Sequence, residues 1–271
     1  MHAIIKKLCY PRHRFNAVVP PVESLLTIMP LLSKRRPDPE LIDLPRESYS
    51  LSEYAGNLAD IRKVNRFLGD HHATLKHFSL LVPVAGGGLA KPISVLDVAT
   101  GSADIPAAIV IWARSQGVQV RVTAVDNNPN AILEAAAYTR GYPEITVAIA
   151  DGLSLPFEDG SFDFVLCTKT LHHFSEEHTV RLLKEIDRVA AIGYIIMDIR
   201  RSCVAWALIS VLTRLFTGNR LTRHDGPLSV LRSYTVSELE SLVVKAGLTS
   251  SSVVKEPFWL MVVSGRKGRS E

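Results

Sequence analysis

Along residues 51–81 apolar side chains return at Leu58, Ile61, Val64, Phe67 and Leu68, spacings of three and four that predict an amphipathic helix, with Ser52 as its N-cap. Gly86, Gly87 and Gly88 follow as a flexible joint. Beyond them the period changes. Short runs rich in Val and Ile alternate with helical stretches, the pattern of a parallel sheet covered by helices. Strands are predicted over 93–98, 120–125, 145–150, 162–167, 194–199, 249–255 and 259–264, and helices over 105–116, 129–140, 176–190 and 237–246. The last two strands, parted by Glu256 and Pro257, predict an antiparallel hairpin closing one sheet edge. The fold class is α/β: a seven-stranded, mostly parallel sheet with helices on both faces and an N-terminal helical cap.

After the fifth strand the pattern breaks again, into DIRRSCVAWALISVLTRLFTGNRLTRHDGPLSVLRSYT. Its helix over 203–212 is apolar on all sides, yet much shorter than the ~20 residues that span a bilayer. Such a helix must be buried, form a lid or rest in a membrane interface. At the other end of the chain, Pro11, Pro20, Pro21, Pro30, Pro37 and Pro39 forbid a long helix, and the apolar run from Leu25 to Leu32 is interrupted by Pro30 and lacks the cleavage site of a signal peptide. Residues 1–50 read as a disordered basic tail, with a targeting or membrane-tethering arm as the alternative. The remainder divides into a helical cap and linker over 51–90 and a main domain over 91–271, whose lid is the insertion over 200–233.

Composition adds three constraints. Hydrophobic residues at 47% and charged residues at 21% exclude a wholly disordered chain. Cys9, Cys167 and Cys203 are too far apart for a zinc ribbon or a disulfide framework, which points to a reducing cytoplasm. The formal charge of +4 is a property of the tail: residues 1–36 hold seven basic side chains against the single acid Glu23, so the other 235 residues sum to about −2. A body of that charge offers no broad phosphate-binding surface, and no nucleic-acid partner is expected.

In an open α/β sheet, ligands bind beyond the carboxyl ends of the strands. The first strand runs into VLDVATGSADIP, with Asp97 at its end and Gly101 in the turn. A dinucleotide site would show Gly-x-Gly-x-x-Gly; this turn has one glycine between Ala99 and Ala103, so pyrophosphate is poorly supported and a ligand with an ammonium group suits Asp97 better. Asp126 ends the second strand, where an acid accepts hydrogen bonds from two ribose hydroxyls, of NAD or of S-adenosylmethionine alike. Asp151 and Gly152 end the third strand, placed to read an adenine edge, with Leu153 available to pack on the ring.

This ordered series, continued by LPFEDGSFDFVLCTKTLHHF, resembles the class I S-adenosylmethionine-dependent methyltransferases of the methyltransferase type 11 group, and is similar to the ubiquinone and menaquinone biosynthesis C-methyltransferases in particular. The resemblance covers residues 93–199 well, reaches the C-terminus more loosely and leaves out the first 50. Alanine at positions 99 and 103, where the family usually has glycine, is the main departure. The resemblance implies a Rossmann-like sheet and S-adenosylmethionine as cofactor. It implies that Asp97, Ala99, Gly101 and Thr168 surround the methionine end, Asp126 and Asn127 the ribose, and Asp151, Gly152 and Leu153 the adenine.

His172 and His173 stand just beyond the fourth strand, and an imidazole there can take a phenolic or enolic proton at neutral pH. No metal is expected on them, because adjacent side chains point apart and no carboxylate is spaced to join them. His71, His72 and His77 are expected on the surface of the cap helix. Arg200, Arg223, His224 and Arg232, with Arg201 and Asp225, are expected at the rim of an acceptor pocket roofed by the apolar insertion. The expectation is a methyltransferase for a small hydrophobic acceptor of phenol, quinol or polyketide type, cytoplasmic with peripheral membrane contact, monomer or homodimer. The competing readings are an NAD(P)-dependent oxidoreductase and a non-catalytic partner protein of the same fold.

Overall fold

The structure, a computed structural model, describes residues 33–82 and 91–267. Its strands are β1 (Ile93–Val98), β2 (Val120–Asp126), β3 (Ile145–Ile149), β4 (Phe162–Thr168), β5 (Ala190–Ile199), β6 (Ser251–Glu256) and β7 (Leu260–Arg266). They form one sheet in the order β3-β2-β1-β4-β5-β7-β6. The first five run parallel, and β7 pairs antiparallel with both β5 and β6. The expected seven-stranded sheet with its closing hairpin is present. The helices are α1 (Leu51–Phe67), α2 (Asp70–Leu81), α3 (Asp104–Gln116), α4 (Pro129–Tyr138), α5 (Glu176–Val189), α6 (Cys203–Phe216), α7 (Arg220–Arg232) and α8 (Val236–Ala246).

The central strands are apolar almost throughout because both of their faces are covered. Alternate side chains feed two cores. Leu96, Val98, Val165 and Ile196 meet Leu182 and Ile186 of α5 and Leu239 and Leu242 of α8. On the other face Val95, Phe164, Leu166 and Ile195 meet Phe78 of α2 and Ile109 of α3. Each such side chain, removed fully from water, contributes roughly 1.5–3 kcal/mol. The chain order steps outward from β1 to β3 and returns to β4 on the other side of β1, so a crevice opens above the carboxyl ends of β1 and β4.

Several local readings are corrected. The single helix expected over residues 51–81 is two, parted at Gly69, whose φ of 92° is left-handed and whose absent Cβ would lie 3.0 Å from the Phe258 ring. The N-cap of α1 is Ser50, not Ser52: Ser50 and Glu53 exchange hydrogen bonds in a capping box, which needs a spacing of three. The apolar helix of the insertion extends four residues further, to Phe216, because Thr213 and Arg214 return their polar atoms to carbonyls one turn back. It is followed by α7, a helix the pattern did not suggest because Gly226 and Pro227 interrupt it. Gly226 is there for contact with α6: a Cβ would approach Thr213 Cγ2 to 3.0 Å.

The tail reading is corrected for residues 33–50, which are ordered and run across α7. Arg36 N–H donates to Leu231 O, and the Asp225 carboxylate accepts from Leu41 and Ile42 N–H. Arg35 lies over the Tyr234 ring at 3.7 Å and donates to the carbonyls of Arg232, His172 and Phe174. Arg35, one of the basic residues that set the sequence charge, is thus a structural donor. The rest of the tail and the Gly86–Gly88 joint lie outside the described residues. No helix among the described residues is long and apolar enough to cross a membrane.

Candidate active site

A cavity of about 1280 Å³ opens above β1, β2 and β4. Its floor is the turn between β1 and α3, where Ala99, Gly101 and Ala103 all take left-handed backbone, with φ of 57°, 56° and 58°. The two alanines therefore adopt the conformation glycine would supply, at a cost of about 1–2 kcal/mol each. The turn is tied down from β2: Thr100 N–H donates to Val125 O, and Gly101 N–H donates to Asp126 Oδ2 at 3.0 Å. Asp126 Oδ1 accepts from Asn128 N–H at 2.9 Å. One carboxylate thus fastens two loops and keeps further lone pairs on the cavity side. Burial pushes its pKa up, opposed by those backbone hydrogen bonds.

Ala99, Gly101, Asp126, Asn127, Asp151, Gly152 and Thr168 all line the cavity, as expected. Two expected residues do not. Asp97 is buried one layer below the floor, where Oδ2 accepts from Thr100 Oγ1 at 2.5 Å and Oδ1 has no hydrogen-bond partner. Leu153 turns away to pack against the core beside α5, because its own N–H is drawn to Asp151 Oδ1. At Gly152 a Cβ would lie 3.0 Å from Val98 Cγ1 and 3.2 Å from Leu182 Cδ1, so glycine keeps this part of the wall flat.

The other half of the cavity is a chamber walled by Ile42, Leu44 and Tyr49 of the N-terminal segment, Leu58 and Ile61 of α1, and Leu212 and Phe216 of α6. Of the six expected rim residues only Asp225 and Arg232 line it. Arg232 is committed to the carbonyls of His172, His173 and Asp38. Arg223 is exposed, with its guanidinium returned to the carbonyls of Thr217 and Arg214. His224 pairs with its neighbour Asp225, and Arg200, whose backbone N–H donates to Trp259 O between β6 and β7, does not line the cavity. Arg201 is buried against Ser233 O and Glu238, away from the cavity.

His172 and His173 both face the chamber. His172 is buried, and its Nδ1 lies 2.7 Å from Asp198 Oδ1, at the end of β5. Burial opposes the charge of Asp198, but His172 outweighs it and holds the carboxyl below its ordinary range. His173 Nδ1 lies 2.8 Å from Asp43 Oδ1. Burial works against its cation, yet Glu40 and Asp43 more than offset that and raise the imidazole to about 9. The acids beside it thus favour the imidazolium form of His173.

Polar groups that the sequence did not single out complete the walls. Lys169, with a left-handed φ of 52°, places Nζ 3.0 Å from Asn65 Oδ1 and 2.9 Å from the buried Asp70. Asn65 and His71 both reach Asp104 at the start of α3. His71 thus faces this cluster, and His77 is buried against Glu256, so of the three cap histidines only His72 is on the surface.

Residues 95–193 match the family described as a methyltransferase domain. Over 164 residues the chain is 31% identical to the mitochondrial 2-methoxy-6-polyprenyl-1,4-benzoquinol methylase of Leishmania donovani, covering 55% of this chain and 54% of that protein. Over 104 residues it is 36% identical to the demethylmenaquinone methyltransferase of Thermus thermophilus, covering 38% of this chain and 44% of the other. The chain thus spans about half the length of these curated relatives. A solved S-adenosylmethionine-dependent methyltransferase from Aquifex aeolicus superposes with a TM-score of 0.54 at 20% identity, over 80% of this chain and 98% of that one. The oxidoreductase alternative finds no support among these similarities.

Proposed function

We propose that this chain, which carries a class I S-adenosylmethionine-dependent methyltransferase domain, methylates a small hydrophobic acceptor bearing an ionisable hydroxyl, of quinol or phenol type. The observation that carries the reading is the chamber: apolar walls from α1, α6 and the N-terminal segment, with the His172–Asp198 pair at its polar corner. The benzoquinol and menaquinone methylases among its relatives support the same class of acceptor.

The floor of the cavity fits S-adenosylmethionine. Asp97, one layer beneath the floor with Oδ1 unpartnered, favours positive charge above it without lining the cavity, Asp126 has lone pairs for the ribose hydroxyls, and the flat wall at Gly152 accepts a planar base. When bound, that cofactor supplies a methyl group on a cationic sulfur. The residues supply alignment and the exclusion of water: the floor fixes one partner, α1 and α6 close over the other, and the barrier falls because the two are held in line. The acceptor's hydroxyl, placed at the histidine corner, gives up its proton there; with Asp198 holding Nδ1, Nε2 of His172 faces the substrate as the acceptor atom. The outer face of α6 exposes Val204, Leu208, Val211 and Leu215 at helical spacing, with Arg214 and Arg223 beside them. Such a face suits peripheral contact with an anionic bilayer, the place from which a lipid-like acceptor would enter.

Burial pushes the Asp97 carboxyl up to about 7, against the Thr100 hydrogen bond and with Asp104 and Asp126 adding to the rise. Because this folded pKa lies above the ordinary 3.8, ionising Asp97 costs the empty protein stability progressively from about pH 4 to pH 7. An ammonium group bound above it favours the ionised form. Cofactor binding is therefore expected to strengthen roughly tenfold from pH 6 to pH 8, a dependence that Asp97→Asn removes. Calorimetry in matched buffers reads this directly, and a flat profile in the unaltered protein rejects the role.

The function itself is tested by incubating the chain with methyl-labelled S-adenosylmethionine and three acceptors: a prenylated quinol kept reduced, the same quinol without its tail, and bulk RNA. Label is expected in both quinols and chiefly in the prenylated one. Cofactor binding without transfer to either quinol would overturn the proposed acceptor class.

A further inference from the structure

The histidine corner has the composition of a metal centre. Glu40, His172 and His173 each bring one ligand-capable atom to within 4.8 Å of the others, and His172 Nε2 lies 3.6 Å from Glu40 Oε1. The sequence suggested that adjacent histidines point apart. In the short 3-10 turn Leu171–His173 they instead lie side by side, ring centroids 4.3 Å apart and planes inclined by 34°. The missing carboxylate arrives from residue 40, over a hundred positions away in the chain.

Three further features belong to a cation site. Each imidazole has its Nδ1 on a carboxylate, His172 on Asp198 and His173 on Asp43, which orients the ring and leaves Nε2 as the ligand atom. Glu40 is buried, and its Oε1 has no hydrogen-bond partner, a costly state for a buried polar atom. Glu40, Asp43 and Asp198 converge on the corner, and Arg232, 3.7 Å from Glu40 Oε1 and 3.5 Å from Asp43 Oδ2, gives its hydrogen bonds to carbonyls.

We propose that Glu40, His172 and His173 bind a divalent transition-metal ion, and that the ion holds the acceptor's hydroxyl oxygen in an open coordination position. Two imidazoles and a carboxylate suit Fe²⁺, Co²⁺ or Zn²⁺, and bonds of about 2.0–2.2 Å require the ligand atoms to draw inward by an ångström or so. Glu40 is the N-cap of the turn Leu41–Asp43, and rotation of its carboxylate turns the unpartnered Oε1 toward the ion. The ion lowers the pKa of the bound hydroxyl, and the proton passes to solvent through the cavity mouth. This rests on the reading of the corner as the place of the acceptor's hydroxyl. In the metal-free chain His172 Nε2 takes the proton itself.

The test uses the full chain, stripped with chelator and titrated with Co²⁺ alone. A single ion is expected to bind per chain, with visible d–d absorption, displaced by Zn²⁺. Glu40→Gln and His173→Asn, which keep side-chain volume and the Nδ1-side hydrogen bond respectively, are each expected to weaken binding by at least about 100-fold. Thermal melting of the same samples shows that the variants fold. No saturable Co²⁺ spectrum in the folded wild type, or one that both variants retain, overturns the proposal. S-adenosylmethionine affinity is measured on the same stripped samples: its loss in the wild type would count against the methyltransferase reading, whereas loss of Co²⁺ binding alone counts only against the metal.

Discussion

Asp126→Ala is expected to weaken S-adenosylmethionine binding by two to four orders of magnitude. Two hydrogen bonds from ribose hydroxyls to a carboxylate are worth about 1.5–3 kcal/mol each, and about 1.4 kcal/mol is a factor of ten in affinity. The loss has a second source in the empty protein. Asp126 accepts Gly101 N–H with one oxygen and Asn128 N–H with the other, so its removal unfastens the floor of the cavity and the start of α4 together. Ala99, Gly101 and Ala103 are all held in left-handed backbone, which two alanines keep only while the surroundings impose it. Asp126→Asn separates the two contributions: it keeps one acceptor oxygen but turns an amide NH₂ toward one of the two N–H donors, and should fall between the wild type and alanine. Calorimetric titration checks the series, and an Asp126→Ala affinity within threefold of wild type would remove the ribose role.

The cofactor half of this site was legible because its signals are local. A parallel strand buried on both faces is an apolar run, and the residue that ends it enters the crevice whatever the rest of the chain does. Asp126 and Gly152 are readable in that way, and the alanines at 99 and 103 take the left-handed backbone that glycine would supply. Leu153 was misplaced by the same logic carried one residue too far: a hydrogen bond within the turn, from its own N–H to Asp151, rotates the side chain toward α5.

The chamber half of the cavity depends on contacts between distant segments and left little local trace. Glu40 and Asp43 sit in a proline-rich basic stretch whose composition resembles a solvated tail. What orders it is Arg35 on Tyr234 and Asp225 beneath Leu41 and Ile42, pairings across nearly two hundred residues. The arginines of the insertion looked like ligands for an anion because their charge was visible and the carbonyls they serve were not. Asp198 was hidden as well, since an acid at the end of an apolar strand gives no sign of which neighbouring turn it will face.

His172→Asn is expected to lower turnover of an ordinary quinol by about 10²–10⁴-fold while leaving S-adenosylmethionine affinity within a factor of about two. Asparagine is chosen because its amide can stand where Nδ1 stands, donating to Asp198 and sparing the fold a buried carboxylate without a partner, which would cost about 3–5 kcal/mol. What disappears is the Nε2 side, the atom that takes the acceptor's proton or holds the cation that releases it. Asp198 acts through His172: its oxygens also accept the backbone N–H of His172 and of Ile199, so the carboxylate is fixed before any substrate arrives. Asp198→Asn should therefore approach the same loss by offering an amide donor to Nδ1, which moves the imidazole proton to Nε2 and leaves the chamber facing a donor. A merely structural defect would slow every acceptor alike. An electron-poor phenol, already ionised at neutral pH, should instead lose little in either variant, because it has no proton to give up. Equal losses for the two kinds of acceptor would place the effect of His172 on packing rather than on proton removal.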